Sequence, residues 1–112
     1  MKTSRQDKVA RLVQKEMGDI LQKENHNILP KKMITVTVVR MTADLSIAKI
    51  FLSIFPSNEK EKDIKHINQL SKPLRHELGK RIKNQIRAIP EVHFLLDDSL
   101  DYIEKIDNLL KE

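Results

Sequence analysis

The chain has 112 residues, of which 39% are hydrophobic and 33% are charged, and its formal net charge is +5 at pH 7. This length suits one domain with a small core, and a composition with only two glycines and four prolines excludes a disordered chain and a loop-rich all-β chain. Cysteine is absent, which excludes a disulfide framework, a thiol nucleophile and a zinc ribbon. No apolar run of the sequence reaches the length of a membrane span. We therefore expect a single domain over residues 1–112 in a reducing, cytoplasmic compartment.

The charge is unevenly distributed along the chain. Residues 1–15 carry a net charge of +4 and residues 60–87 carry +6, whereas residues 91–112 carry −5. Segregated positive charge favours an acidic partner surface, and nucleic acid is the leading candidate. Charge alone is equally compatible with a soluble basic protein that has no such partner.

The first predicted element is an amphipathic helix over residues 3–24. Its apolar residues recur every three or four positions and are Val9, Leu12, Val13, Met17, Ile20 and Leu21. Lys8, Arg11 and Lys15 lie on the opposite side of the helical wheel. The Asn-rich stretch that follows contains a proline and predicts a loop.

Two strands are predicted next. The stretch MITVTVVRM (33–41) alternates between two sets of side chains: Ile34, Val36 and Val38 against Thr35, Thr37 and Val39. The stretch SIAKIFLSIF (46–55) does the same with Ala48, Ile50, Leu52 and Ile54 against Lys49, Phe51 and Ser53. The short connection RMTADLS predicts an antiparallel hairpin, and the polar stretch PSNEKEKD (56–63) predicts a capping loop.

A kinked pair of helices is predicted after this loop. From Ile64 onward the apolar spacing of three or four continues without interruption through Ile67, Leu70, Leu74, Leu78, Ile82 and Ile86. Pro73 lies within this pattern, and a proline inside a straight helix costs about 3 kcal/mol. We therefore predict a kink at Ser71, Lys72 and Pro73, with Ser71 or Lys72 as the cap, and a second helix from Pro73 to Arg87.

A third strand and a last helix complete the chain. The stretch PEVHFLLDD (90–98) places Val92, Phe94 and Leu96 on one face. Residues 99–111 form the predicted last helix, whose apolar positions are Leu100, Ile103, Ile106, Leu109 and Leu110. The order α-β-β-α-kink-α-β-α predicts an α+β fold.

No catalytic or metal-binding motif is evident. The stretch HELGK (76–80) resembles the start of a zinc protease motif, but Lys80 stands where the second histidine would bind the metal. Gly18 and Gly79 are the only glycines, which excludes a P-loop and a dinucleotide-binding loop. Asp97 and Asp98 could bind a metal, but a helix cap is the favoured role. We expect no metal, no cofactor and no enzymatic activity.

The basic residues of the kinked pair define a predicted cationic ridge. On the helical wheel its members lie within about 60° of one another, opposite the apolar stripe, and they are His76, Lys80, Lys83 and Arg87. Solvated helix surfaces usually mix charges of both signs, whereas only Glu77 interrupts this one. With only four aromatic residues, base stacking on an aromatic platform is weakly supported, so we expect phosphate contacts. The predicted RNA-binding residues are Arg5, Lys8, Arg11, Lys15, Lys72, Arg75, His76, Lys80, Arg81, Lys83 and Arg87.

The chain resembles the ribosome-binding factor A family, whose members have a type II KH-like fold. The resemblance is carried by RLVQKEMGDIL, ITVTVVRMTADLSIAKIFLS, LRHELGKRI and IRAIPEVHFLLDDS, which together span nearly the whole chain. KH domains that bind single strands use a GxxG loop between two helices, and this family is similar in fold but has a helix-kink-helix written AxG. Leu70, Ser71 and Lys72, followed by Pro73, stand at that place, so both small residues are missing.

The resemblance implies a function as well as a fold. It implies a single KH-like, rRNA-binding domain with a C-terminal helix, acting as a monomer and without catalysis. Such a factor binds free or immature small (30S) ribosomal subunits, contacts 16S rRNA and assists late maturation, including processing of the 16S rRNA 5′ end. The residues alone leave one alternative open, a protein-interaction domain whose basic helix docks on an acidic protein.

Overall fold

The computed structural model describes residues 4–97, which form three helices and three strands in the order α-β-β-α-α-β. The bounds are α1 Ser4–Ile28, β1 Met33–Met41, β2 Ile47–Phe55, α2 Lys60–Gln69, α3 Ser71–Ile82 and β3 Glu91–Leu96. The predicted α+β class and KH-like order of elements are thereby confirmed. Asp98 and the predicted final helix, residues 99–111, lie outside the described residues.

The sheet has the strand order β1-β2-β3, with β1 antiparallel and β3 parallel to the central strand β2. The hairpin prediction is confirmed. One face of the sheet packs against the helices, and its buried side chains include Ile50 and Leu52 of β2 and Phe94 of β3. Lys49, the exposed neighbour of Ile50, points to the other face because strand side chains alternate.

A β-bulge at Thr37 changes the predicted face of β1. Val36 is opposite Leu52 and Val38 is opposite Phe51, so Thr37 has no partner of its own in β2. The extra residue reverses the alternation beyond it. As a result Val39 is buried, while Val38 is only half-buried, and the expectation that Val36 and Val38 share a face is wrong.

Three helix boundaries differ from the sequence prediction. Helix α1 continues four residues past 24 because the buried side chain of Ile28 prolongs its apolar face. Helix α2 begins at Lys60, so the second half of the predicted capping loop is helical, with Glu61 and Asp63 placed favourably in the first turn. Helix α3 ends at Ile82, five residues before Arg87, and the chain then turns while Ile86 continues to pack on the core.

The break between α2 and α3 lies at Leu70, one residue before the predicted kink. Leu70 leaves helical geometry, and its N–H bonds to the carbonyl of Ile67. Ser71, Lys72 and Pro73 form the first turn of α3, where the missing proline N–H has no intrahelical partner to lose. Leu70 therefore occupies the cap position that we predicted for Ser71 or Lys72, and no side chain caps this turn.

Side chains from the helices bond to both outer edges of the sheet. On the β1 side, the amide of Gln14 donates to the carbonyl of Thr37, and the amide of Asn25 bonds to the carbonyl of Lys32 and the N–H of Ile34. On the β3 side, Asn68 of α2 accepts from the N–H of Phe94 and donates to its carbonyl, at 2.9 and 2.8 Å. These bonds satisfy edge groups that would otherwise be open to another strand.

Within residues 4–97, no helix is both long enough and apolar enough to cross a membrane.

Candidate nucleic-acid interface

A cleft of about 680 Å³ brings together basic residues that are far apart in the sequence. Arg5 and Lys8 come from the first turns of α1, Arg75 from α3, and Arg87 from the connection between α3 and β3. The turn of the β1–β2 hairpin closes the third side. We call this feature the cationic cleft and define it by Arg5, Lys8, Arg75 and Arg87.

Three of the four cations make no ion pair with residues 4–97. Arg5, Lys8 and Arg87 are exposed, and none of them makes an ion pair with another residue of the described part of the chain. Their charges are available to a ligand, because no ion pair with residues 4–97 has to be broken before an anion binds. They form the strongest candidate for an anion-binding site among the predicted residues.

Arg75 is held in place by the backbone of the α3–β3 connection. Its Nε donates to the carbonyl of Pro90 at 3.0 Å, and one terminal nitrogen donates to the carbonyl of Ile89 at 2.8 Å. Two of the five N–H donors of the guanidinium are thus used, and no carboxylate of residues 4–97 neutralises it. Arg75 both fastens α3 to the start of β3 and presents a fixed charge to the cleft.

Two carboxylates also border the cleft, Asp44 and Glu91. Hydrogen bonds from Ser46 and Thr42 lower the pKa of Asp44, so this carboxylate stays ionised while serving as an acceptor inside its own turn. Leu45, between Asp44 and Ser46 in the same turn, has left-handed backbone geometry with φ of 62°, and it lines the cleft. With four cations against two acids, the cleft remains net positive.

Arg81 is a predicted RNA-binding residue whose guanidinium is paired with acids of α1. It forms ion pairs with Asp19 at 2.6 Å and Glu16 at 3.4 Å, which join α3 to α1. The hydrogen bond to Asp19 raises the pKa of Arg81 and, together with Lys23, lowers the pKa of Asp19. The geometry assigns Arg81 a structural role.

The predicted ridge is not one continuous helical face. Lys80 pairs with Glu77 at 3.2 Å, Lys83 follows the last residue of α3, and Arg87 lies beyond the helix in the cationic cleft. His76 borders a separate depression of about 470 Å³ at the helix break, together with Pro73. The predicted placement of Lys83 and Arg87 on one helical face is wrong, because the helical wheel assumed helical geometry for residues beyond Ile82 that form a turn.

The remaining predicted residues lie outside the cationic cleft. Arg11 and Lys15 are exposed on α1, and Lys15 borders a depression between α1 and β1. Lys72 is exposed in the first turn of α3, next to Ser71 and Pro73. Among residues 4–97, no group of three metal-ligating side chains is close enough to hold an ion.

Several residues of the cleft were not predicted from the sequence. The hairpin turn at Leu45, the amide of Gln85 and the carboxylate of Glu91 all border it. These residues carry no shared pattern, because Leu45 lies in the β1–β2 turn, Gln85 in the α3–β3 connection and Glu91 at the start of β3. The sequence feature that indicated an anion-binding site was the net positive charge of residues 1–15 and 60–87.

Comparison with known proteins identifies the family. The ribosome-binding factor A profile matches residues 5–110. The chain belongs to the ribosome-binding factor A family. Ribosome-binding factor A of Cytophaga hutchinsonii is 46% identical to this chain over 112 residues, which is 100% of this chain and 84% of that protein.

Solved structures share the fold. The crystal structure of ribosome-binding factor A from Thermus thermophilus superposes with a TM-score of 0.68 at 19% identity, covering 81% of this chain and 94% of that one. A homology model of Thermus thermophilus ribosome binding factor A, fitted into a cryo-EM map of its 30S complex, superposes with a TM-score of 0.64 at 18% identity. The match covers 88% of this chain and 97% of that one. Such low identity supports a common fold alone.

Proposed function

We propose that this protein binds the small (30S) ribosomal subunit through 16S rRNA and acts as an assembly factor without catalysing a reaction. The observation that carries the proposal is the cationic cleft, with Arg5, Lys8 and Arg87 unpaired within residues 4–97. Phosphate contacts supply most of the affinity of such surfaces for RNA. The relatives that share the fold are named for ribosome binding, and one of them is described in a 30S complex.

The proposal includes the stage of assembly. The protein binds free or immature subunits as a cytoplasmic monomer, assists late maturation, including processing at the 16S rRNA 5′ end, and leaves the mature particle. Chromosomal deletion should therefore lead to accumulation of unprocessed 16S rRNA, which primer extension at the 5′ end would measure. Normal 5′ ends in the deletion strain would remove this part of the proposal and leave subunit binding untouched.

Sedimentation tests the binding. The parent chain should sediment with free small subunits on a sucrose gradient and should be released when nuclease digests the rRNA. A variant with Arg5, Lys8 and Arg87 replaced by Gln should stay at the top of the gradient. The control replaces Lys49, Lys60 and Lys65 by Gln, which removes the same charge from exposed residues outside the cleft.

Two results would contradict the proposal. Equal loss of sedimentation in both variants would mean that overall charge, and not the cleft, holds the protein on the subunit. Sedimentation that survives complete digestion of the rRNA would instead favour docking on an acidic protein.

A further inference from the structure

The floor of the cationic cleft is apolar, which a site for backbone phosphates alone does not require. Val9 is buried beneath it, and Leu45, Ile86 and Ile89 are partly buried side chains that pack on the core while lining the cleft. A duplex backbone offers only phosphates and sugars to such a surface. The cleft volume of about 680 Å³ lies in the range of small-ligand sites, and its apolar floor suits a ligand group that is itself partly apolar.

We infer that the cationic cleft binds one unpaired nucleotide of the RNA, with its base inside the cleft and its phosphates on the rim. This inference rests on the proposed function and names the part of the RNA that the same site takes. Unpaired bases in loops and bulges are the parts of RNA that proteins reach with side chains, since the major groove of duplex RNA is too deep and narrow to enter.

Arg75 supplies a stacking surface. Its planar guanidinium is fixed at the cleft by the carbonyls of Ile89 and Pro90, so the plane is set before a ligand arrives. Bases stack on arginine planes as well as on aromatic rings, and a guanidinium that is already held loses less conformational entropy on binding. The scarcity of aromatic residues therefore does not exclude base binding at this site.

Gln85 and Glu91 supply groups that can recognise a base edge. Both residues border the cleft, and the side-chain amide of Gln85 has no hydrogen-bond partner within residues 4–97. Glu91 is 67% exposed at its side chain and lies 3.5 Å from His93, so its carboxylate can accept from an amino group of a base. An amide and a carboxylate next to three cations that have no ion-pair partner within residues 4–97 match the donors and acceptors of a nucleotide better than those of a bare phosphate.

The test compares two RNA hairpins that differ by one bulged nucleotide, at a fixed 0.15 M salt. One hairpin carries 2-aminopurine as the bulged base and the other is fully paired, and affinity is measured by titration of the full chain. The parent should prefer the bulged hairpin by about tenfold, because one stacked base contributes about that factor. The fluorescence of 2-aminopurine should report transfer of the base to a new stacking partner.

Two cleft variants and one control identify the residues. Arg75→Lys keeps the charge but removes the plane, and Gln85→Ala removes the amide from an exposed position where folding is not at risk. Each should reduce the preference to below threefold, whereas Gln22→Ala, an exposed amide of α1 outside the cleft, should retain it.

Several outcomes would overturn the inference. Equal affinity of the parent for both hairpins would leave the cleft as a phosphate site, and a preference that survives both cleft variants would place the base elsewhere. Failure to bind either hairpin, with small-subunit sedimentation intact, would also overturn it and would leave the proposed function standing.

Discussion

At the scale of single residues, neighbouring arginines of one basic segment have different roles. Arg81 is paired with Asp19 and Glu16, Arg75 is bonded to backbone carbonyls, and Arg87 has no partner within residues 4–97. Positive charge in a sequence therefore counts toward a binding surface only where the fold leaves it unpaired. The exposed ion pair between Lys80 and Glu77 is of little consequence for stability.

Asp63 is the buried acid of the described residues, and its environment predicts a pH dependence. It is 4% exposed, and Lys32 donates to both of its oxygens at 2.9 and 2.8 Å, while Ser57 donates to one of them. Burial alone would raise the pKa of Asp63, but the bonds from Lys32 and Ser57 outweigh it, and the pKa is lowered. A lowered pKa stabilises the folded state above the unfolded value of about 3.9, and this stability is lost as the pH falls through the folded pKa.

We expect Asp63→Asn to lower the free energy of unfolding at pH 7 by about 3 kcal/mol, because Lys32 would lose its buried partner. The difference from the parent should shrink below about pH 4, because the unfolded parent then takes up a proton at Asp63, whereas Asn does not titrate. Urea denaturation from pH 2 to 8 would measure both effects. Glu59→Gln removes the exposed partner of the same lysine and should cost less than about 1 kcal/mol. A constant difference across this pH range would show that the ion pair is not its cause.

At the scale of elements, the bend between α2 and α3 is held by β3 and by the connection that leads into it. Asn68 ties α2 to Phe94 of β3, and Arg75 ties α3 to Ile89 and Pro90 in the connection just before β3, so the helices on either side of the break are fastened to neighbouring segments of the chain. Pro73 lies in the first turn of α3, where it is compatible with the helix and does not itself form the break. The bend thus depends on long-range bonds as well as on local sequence.

The two glycines allow a matched prediction about helix stability. Both lie inside helices, where glycine costs about 0.5–1 kcal/mol relative to alanine. A Cβ at Gly18 would meet no atom of residues 4–97 within 4 Å, whereas a Cβ at Gly79 would lie 3.3 Å from Cγ1 of Ile89. We expect Gly18→Ala to raise the free energy of unfolding by about 0.5–1 kcal/mol, and Gly79→Ala to gain less or to lose stability.

Urea denaturation with an unchanged m value would measure both glycine substitutions. Equal stabilisation by the two would mean that Ile89 moves without cost, and that the close approach of α3 to the α3–β3 connection is not a constraint. Destabilisation by Gly18→Ala would contradict the open space found beside α1.

At the scale of the whole molecule, the fold converts two basic segments into one site. Residues 1–15 and 60–87 carry most of the positive charge, and the packing of α1 beside α3 brings Arg5 and Lys8 to the same cleft as Arg75 and Arg87. Charges gathered in a concave site attract an anion more strongly than the same charges dispersed over a surface.

The salt dependence of RNA binding should reflect the phosphate contacts made by the cationic cleft. Replacement of Arg5, Lys8 and Arg87 by Gln should flatten the slope of log affinity against log salt by about 2–3 units, because three phosphate contacts no longer release counterions. The melting temperature should change little, since all three side chains are exposed and unpaired within residues 4–97. Titrations with labelled rRNA fragments from 0.05 to 0.3 M salt would measure the slope.

The control for the salt slope is again the variant with Lys49, Lys60 and Lys65 replaced by Gln. It should change the slope by less than about 1 unit, because these residues lie outside the cleft. Equal slopes for the cleft variant and the parent, with both folded, would show that the cleft makes no phosphate contacts.

The sequence by itself determined the three helices and three strands of residues 4–97, their order and most residues of the core. Apolar spacing identified α1, β2 and β3, and buried residues such as Val13, Ile50 and Phe94 lie where the periodicity placed them. The reason is that burial of one face of a helix or strand leaves a local repeat in the sequence. The same signal could not place the ends of α1 and α3, since apolar side chains beyond Leu21 and Ile82 pack on the core at both boundaries.

Only the tertiary structure decided which charges are available, where the sheet reverses its faces and what lines the cleft. The bulge at Thr37, the ion pairs of Arg81 and the fixed guanidinium of Arg75 all depend on atoms from segments distant in sequence. A helical wheel cannot register such partners, because it describes one element in isolation. The cationic cleft is therefore a property of how α1, the hairpin turn and the α3–β3 connection pack together.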